Sequence, residues 1–465
     1  MGLGAEARQD RRHHTSPNRF GAGPMIDNVF NRRSLLGLAA VAALASTAVA
    51  SPAGASAPIT DWIDRHAARI DSTDPASPLD DLDALRRIAR DAEVVGIGEW
   101  THGSHEQFRV KHKIVRYLVE RMGFRTLAFE LDFAHGLAVD RYAVTGEGDA
   151  RELATDLSSQ LWQTQEILDV IEWVRGFNAD HPGDEVRFLG ADLLTLREAS
   201  FTAITDHVAA VSPDRAAELA GHLDPIRPTG PGHIYWYQQL GEAERVDLIG
   251  HAQAVLDLVA DLPDSKDREL AAQHARTVAA WHEYYAILGP APRPGREVFI
   301  ADTIEWWRRQ VGGRIAYWAA NAHTAAAPST VYSLPGETTE FTYAGGHLRE
   351  RIGREYVSVG TVFHEGEVNS RWYPVVPVAV APPGPGLLDA ELGEACEDDY
   401  LIDLRLRAPR PVRDWLAAPT SVRMVHPVYQ DGESADDYVM TTGSLAATFD
   451  AIVHLRRTTP SVLLT

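Results

Sequence analysis

A single cysteine, Cys396, stands among 465 residues. No intramolecular disulfide can form, and a metal site built from several thiolates is excluded. Positive charge is scarce as well: 44 Lys and Arg face 65 Asp and Glu, a formal net charge of −21. A phosphate backbone or an anionic membrane surface needs a basic face, so neither nucleic acid nor a stable membrane association is expected. The one long apolar run, Leu35 to Ala50, is short and alanine-rich for a membrane span. Familiar signatures are missing too. Without a G-x-S-x-G the chain has no nucleophile elbow of the common hydrolase type. Gly96-Ile97-Gly98 lacks the third glycine of a dinucleotide fingerprint, and Glu99 directly after it would repel a pyrophosphate. There is no P-loop, and neither H-E-x-x-H nor H-x-x-E-H occurs. Neither a cofactor nor a catalytic metal is therefore expected.

What is present begins with a leader. Asn31-Arg32-Arg33-Ser34-Leu35-Leu36 followed by a mild apolar segment resembles a twin-arginine export signal, with small-residue cleavage sites at Ala48-Val49-Ala50 and Ala55-Ser56-Ala57. Residues 1–57 are assigned to that leader, which implies a secreted protein. The remaining 408 residues carry 38 basic and 62 acidic groups, a net −24.

The rest alternates strand and helix patterns. Strand-like runs fall at Glu93–Gly98, Thr126–Glu130, Val186–Asp192, Arg314–Ala319, Tyr356–Val362 and Ala451–Leu455. Helical apolar faces run from about His105 to Met122, closed by Gly123, and from Gln165 to Phe177. This rhythm predicts an α/β fold, a mostly parallel sheet flanked by helices. Between 198 and 295 the pattern is almost all helical. The organisation is read as an α/β domain over 58–197 and 296–465, interrupted by a helical insertion over 198–295 that covers the cleft. No internal repeat is visible.

Four predicted strands deliver polar groups at their carboxyl ends, the edge where ligands bind in open α/β sheets. The first runs into Glu99-Trp100-Thr101-His102-Gly103, the second ends on Glu130, the third on Asp192, and the fourth leads to Asn321-Ala322-His323. Each alone reads as a cap or turn residue; four together point to a site. His102 is suited to proton exchange near neutral pH, with Glu99 or Glu130 orienting it. His323 can act as a second acid or hold an oxyanion. Lys111, in the following helix, supplies fixed charge or is merely solvated.

With those residues in place, the chain resembles the erythromycin esterase family. Gly98-Glu99-Trp100-Thr101-His102-Gly103-Ser104-His105-Glu106 matches its G-E-x-T-H-G-x-x-E, and Phe129-Glu130, Trp162, Glu166, Gly190-Ala191-Asp192, Asn321-Ala322-His323 and Phe449-Asp450-Ala451 follow in order. The resemblance implies ester hydrolysis by activated water without a covalent acyl-enzyme. It places the general base on His102, the motif glutamates on Glu99 and Glu130, and a basic residue on Lys111. One departure is evident: the family's His-Asn-x-His reads Ala320-Asn321-Ala322-His323 here.

The candidate catalytic set is thus His102, Glu99, Glu130, His323 and Lys111. Trp100, His105, Glu106, Asp192, Asn321, Tyr235 and Trp236 are candidates for binding a small-molecule substrate. The aromatic clusters Tyr235-Trp236-Tyr237 and Trp281–Tyr285 either line a lid pocket or pack helices. Two other function classes stay open: a non-hydrolytic elimination or cyclisation on a natural product, and a haem- or ligand-binding protein on the same fold.

Overall fold

Alternation along the strands decides which side of the sheet each residue serves. In Val94–Glu99, Val95 and Ile97 join one apolar cluster while Val94 joins another. In Arg314–Ala320 the same split puts Ala316 and Trp318 on one side, Ile315, Tyr317 and Ala319 on the other. A sheet apolar on both faces must be covered on both. The computed structural model describes residues 56–230, 233–288, 295–425 and 427–464. All but the last two residues of the assigned leader lie outside that range, and Ser56 and Ala57 already belong to a helix, Ser56–His66.

Among the described residues thirteen strands form two sheets: β1 (Ala68–Arg69), β2 (Val94–Glu99), β3 (Phe124–Asp132), β4 (Arg187–Asp192), β5 (Arg314–Ala320), β6 (Thr330–Leu334), β7 (Glu337–Phe341), β8 (Tyr356–Ser370), β9 (Val376–Val380), β10 (Tyr400–Asp403), β11 (Thr420–Arg423), β12 (Val439–Thr442) and β13 (Ala451–Thr458). The main sheet runs β1-β10-β13-β8-β2-β5-β3-β4, with β9 on β8. From β13 to β4 every neighbour is parallel, and β1, β10 and β9 add antiparallel edges. The second sheet, β11-β12-β6-β7, is wholly antiparallel. The fold is therefore α/β with mostly parallel and some antiparallel pairing, as the strand–helix rhythm predicts.

Helix His105–Met122 covers one face through Phe108, Val110, Ile114, Val115 and Leu118. Its start is capped by Ser104, whose Oγ accepts from the Gln107 N–H at 3.1 Å, and it ends at Gly123 with φ 74°, a left-handed stop. Helix Gly295–Gln310 covers the opposite face with Ile300, Ile304, Trp306 and Trp307. Between β4 and that helix the described residues form five α-helices, Glu198–Val211, Ala216–Ile226, His233–Gln239, Glu242–Ala260 and Lys266–Ala286. They share their own apolar core, with Phe201, Leu223, Tyr237, Val255 and Trp281 at its centre. Among the described residues no helix is long and apolar enough to cross a membrane.

Candidate active site

Because β2, β5, β3 and β4 lie side by side and parallel, their carboxyl ends open on one edge. Glu99 ends β2 and is wholly buried. Three residues on, in the loop before helix His105–Met122, His102 turns back so that its Nδ1 lies 2.9 Å from Glu99 Oε1. The other Glu99 oxygen takes the Lys111 ammonium, which also donates to the Ala319 carbonyl at 3.1 Å and stands 4.3 Å over the Trp318 ring. Lys111 is fully buried. It is not a solvated lysine but the counter-ion of Glu99.

The far side of His102 meets a second carboxylate. His102 Nε2 is 4.0 Å from Glu130 Oε1, on β3. Glu130 Oε1 also receives His323 Nε2 at 3.2 Å and the Arg296 guanidinium at 3.1 Å, while Oε2 accepts from the Ala320 N–H at 2.9 Å. The other His323 nitrogen, Nδ1, is 2.8 Å from Glu297, which is itself fixed by the Ala344 N–H at 3.1 Å. Arg296 extends the network to Asp192 at the end of β4, with Nε 2.9 Å from Oδ1 and its Nη2 on Oδ2.

Burial and neighbouring charge compete at every group of the site. Desolvation pulls His102 down to about 4, against the opposing pull of Glu130, so the imidazole is neutral near pH 7. His323 behaves oppositely: burial disfavours its charge, but Glu297 and Glu130 outweigh that and raise it to about 10. Burial would raise Glu130, yet His323, His102 and Arg296 hold it well below the usual carboxylate range. Arg296 is held charged by Asp192 and Glu130 against its own burial. One edge thus carries a neutral imidazole and an imidazolium on either side of one carboxylate, a division of acid and base roles.

Glu99, His102 and Glu130 also bring ligand atoms within 4.8 Å of one another, close enough for one metal ion. The donor set fits such an ion poorly, because Lys111 already neutralises Glu99 and Arg296 and His323 neutralise Glu130.

The sequence model of the erythromycin esterase family matches residues 119–458. The chain belongs to that family. Among curated relatives, erythromycin esterase type II of Escherichia coli is 32% identical over 119 residues, 26% of this chain and 28% of that protein. A Bacillus subtilis (strain 168) protein is 26% identical over 159 residues, 34% of either chain. The matched stretches thus span about a third or less of these curated relatives. A solved succinoglycan biosynthesis protein superposes with TM-score 0.77 at 28% identity, over 89% of this chain and all of its own. A mutant of the erythromycin esterase EreC in its open conformation shares the fold, with TM-score 0.68 at 17% identity over 86% of this chain and 99% of its own.

In this family member, the site residues expected from sequence divide into two groups. Glu99, His102, Lys111, Glu130, Asp192 and His323 form the contiguous network above. The remainder lie outside that network. Asn321 clamps β8, donating to Thr361 O at 2.8 Å and accepting from its N–H at 3.1 Å; a methyl group on Gly98 would collide with this side chain. His105 bonds Glu166 at 2.5 Å, and Glu106 accepts from the Thr459 N–H and hydroxyl at 2.6 and 2.8 Å. Trp100 is buried, with no hydrogen-bond partner for Nε1 among the described residues. Tyr235 and Trp236 lie on helix His233–Gln239, where Trp236 is exposed, its ring tilted against that of His233 with centroids 5.0 Å apart. Trp281 and Tyr285 are buried packing residues that donate to Leu194 O at 3.3 and 3.1 Å, just past β4.

Sequence reasoning missed Arg296 and Glu297, the two residues that lock Asp192, Glu130 and His323 together. It also gave Trp162 no role, although this ring lies 4.2 Å from that of His102, centroid to centroid. A charged pair at the start of an apolar helix, directly after a proline- and glycine-rich stretch, was the available signal for the first two.

Proposed function

We propose that this chain hydrolyses an ester or lactone bond in a small molecule, using water activated by His102 and no covalent acyl-enzyme. The observation that carries the reading is the buried, neutral imidazole held by Glu99 at Nδ1, which leaves the Nε2 lone pair as the base. Among the described residues no hydrogen bond joins a motif hydroxyl to His102, whose partner is Glu99, while Thr101 Oγ1 accepts from the Gly103 N–H at 3.3 Å. Ser104 Oγ is engaged by Thr458 and the Gln107 N–H, and Cys396 is exposed beside Asp64.

In the first step His102 Nε2 takes a proton from water as its oxygen bonds to the carbonyl carbon. The carbonyl π pair moves onto oxygen, giving an oxyanion. Glu99 and Glu130 stabilise the imidazolium so formed. Collapse breaks the carbon–alkoxy bond, and His102 returns the proton to the leaving alcohol, so that water is consumed and acid and alcohol are released. Oxyanion stabilisation is assigned to His323 and Arg296, whose side chains keep 10% and 13% exposure, rather than to Lys111, which has none. Export through the leader is inferred as well; fractionation of expressing cells tests it separately.

The deciding experiment is a mass-spectrometric screen of macrolides and simpler esters in heavy-oxygen water, with His102→Ala as control. Hydrolysis places one solvent oxygen in the acid product and is lost in the variant. A product without solvent oxygen would establish elimination or cyclisation instead, and full activity of His102→Ala would overturn the assignment.

A further inference from the structure

Helices Ala216–Ile226 and Glu242–Ala260 share Leu219, Leu223, Ala252 and Val255 in the core of the helical unit. Where they meet near solvent, His222 and His251 face each other with their Nδ1 atoms 3.0 Å apart. An acid precedes each imidazole by one turn, Glu218 on the first helix and Asp247 on the second. The Asp247 carboxylate faces His251 Nε2, the nitrogen turned away from His222, at 3.9 Å. Glu218 is held by Arg215 at 2.9 and 3.0 Å. Asp224, two residues beyond His222, is exposed and adds to the acidic surroundings.

We infer that His222 and His251 form a binding site for a zinc-like transition-metal dication, which ties the two helices together. Two nitrogens bound to one ion at about 2.0–2.1 Å stand roughly 2.9–3.4 Å apart for angles between square and tetrahedral. The helices already hold the two donors at that spacing, so a modest tilt of each ring suffices. Without metal, one Nδ1–H donates to the other Nδ1, and the ion takes the place of that proton. The displaced proton moves to Nε2 of its own ring. On His251 it then points towards the Asp247 carboxylate across 3.9 Å, near enough for a side-chain rotation to bring the carboxylate onto it. Imidazole nitrogens favour zinc, copper and nickel over magnesium or calcium. His251 is 26% exposed, which gives the ion a way in. With two protein donors the remaining positions go to water, so the site restrains two helices and does not close around its ion.

The test is calorimetric titration of the full chain with zinc, with magnesium as the hard-cation control, beside thermal unfolding with and without zinc. The expected result is one saturable zinc site that magnesium does not fill, absent in His222→Ala and in His251→Ala. Asp247→Asn should weaken it, but by less than the loss of either histidine. Zinc should raise the unfolding midpoint of the parent chain and of neither histidine variant. Because Glu99, His102 and Glu130 also bring three ligand atoms together, poorly as they suit an ion, the titration is repeated on His102→Ala, which must retain the site. Unfolding of the variants in zinc-free buffer separates loss of the site from loss of the fold. Zinc binding that persists unchanged in both histidine variants, or no saturable binding at all, would overturn the proposal.

Discussion

The indole of Trp162 lies against the imidazole of His102, with ring centroids 4.2 Å apart and planes 40° from parallel. Phe108 and Phe129 pack behind the indole at 5.5 and 5.1 Å. The proposed base is thus roofed by an aromatic stack that covers its ring, and desolvation by burial is what depresses its pKa to about 4. Trp162→Ala removes the roof. The acid limb of kcat/KM should move upward from about pH 4 towards the ordinary histidine value near 6.5, with kcat falling. Trp162→Phe, which keeps an apolar cover, should stay closer to the parent. Proton titration of His102 by NMR checks the cause independently of turnover; an unmoved pKa in Trp162→Ala would show that the roof is not what holds it down.

Lys111 and Glu99 are both wholly inaccessible, so removing one strands the charge of the other. Lys111→Met should cost about 3–5 kcal/mol in chemical denaturation. Lys111→Met combined with Glu99→Gln should be considerably milder, since no lone charge remains. Equal losses in the single and double variants would deny the coupling.

His323 and Glu297 couple stability to alkaline pH. The imidazole of His323 is raised to about 10 in the folded chain, against about 6.5 when unfolded. Its contribution is fully present below pH 6.5 and is lost as pH rises from there through 10. Glu297→Gln should lower that folded value, because the largest favourable charge is gone, and so flatten the decline in unfolding free energy between pH 7 and 10. His102 acts in the other direction: with a folded pKa near 4, it makes stability fall as pH drops from 6.5 towards 4. Denaturation curves across pH 4–10 for the parent and Glu297→Gln separate the two slopes.

Local chemistry made part of this legible in sequence. Ser104 and Gly123 bracket a helix whose apolar face repeats at helical spacing, and buried β2 precedes it, so Glu99 and His102 could be placed at a strand end. Pattern could not show the antiparallel sheet: β7 alternates half-buried and exposed positions, and most of β6 is only half-buried. Such short strands lack the apolar run that marked the parallel core. Arg296 and Glu297 were illegible for another reason. They reach Asp192, Glu130 and His323 from a helix that enters after the five-helix unit, so no spacing ties them to the motif residues. Lys111 was ambiguous because a lysine's sequence position does not reveal whether a carboxylate waits beneath it.

The segment 459–464 laces together the two loops that carry His102 and Trp162. On one side His105 N–H donates to Thr459 O at 2.9 Å and Ser461 N–H to Gly103 O at 3.0 Å; on the other Gln165 N–H donates to Val462 O and Leu464 N–H to Gln163 O, both at 2.8 Å. Glu166 sits at the crossing, accepting from the Val462 N–H at 3.0 Å while paired with His105. Glu166→Ala should therefore cost about 1–3 kcal/mol for the stranded partners, and its kinetic effect should exceed what that loss of stability explains. With both loops loosened, the base and its roof no longer keep one geometry. Because a misplacement of about 1 Å can cost on the order of a hundredfold in rate, kcat should fall further than KM rises. Glu166→Gln keeps an acceptor for the Val462 N–H and should recover most of kcat. Hydrogen exchange should quicken together in 103–105, 163–165 and 459–464 in the alanine variant. Faster exchange confined to 459–464, with kcat unchanged, would mean that the segment fastens the fold without positioning the base.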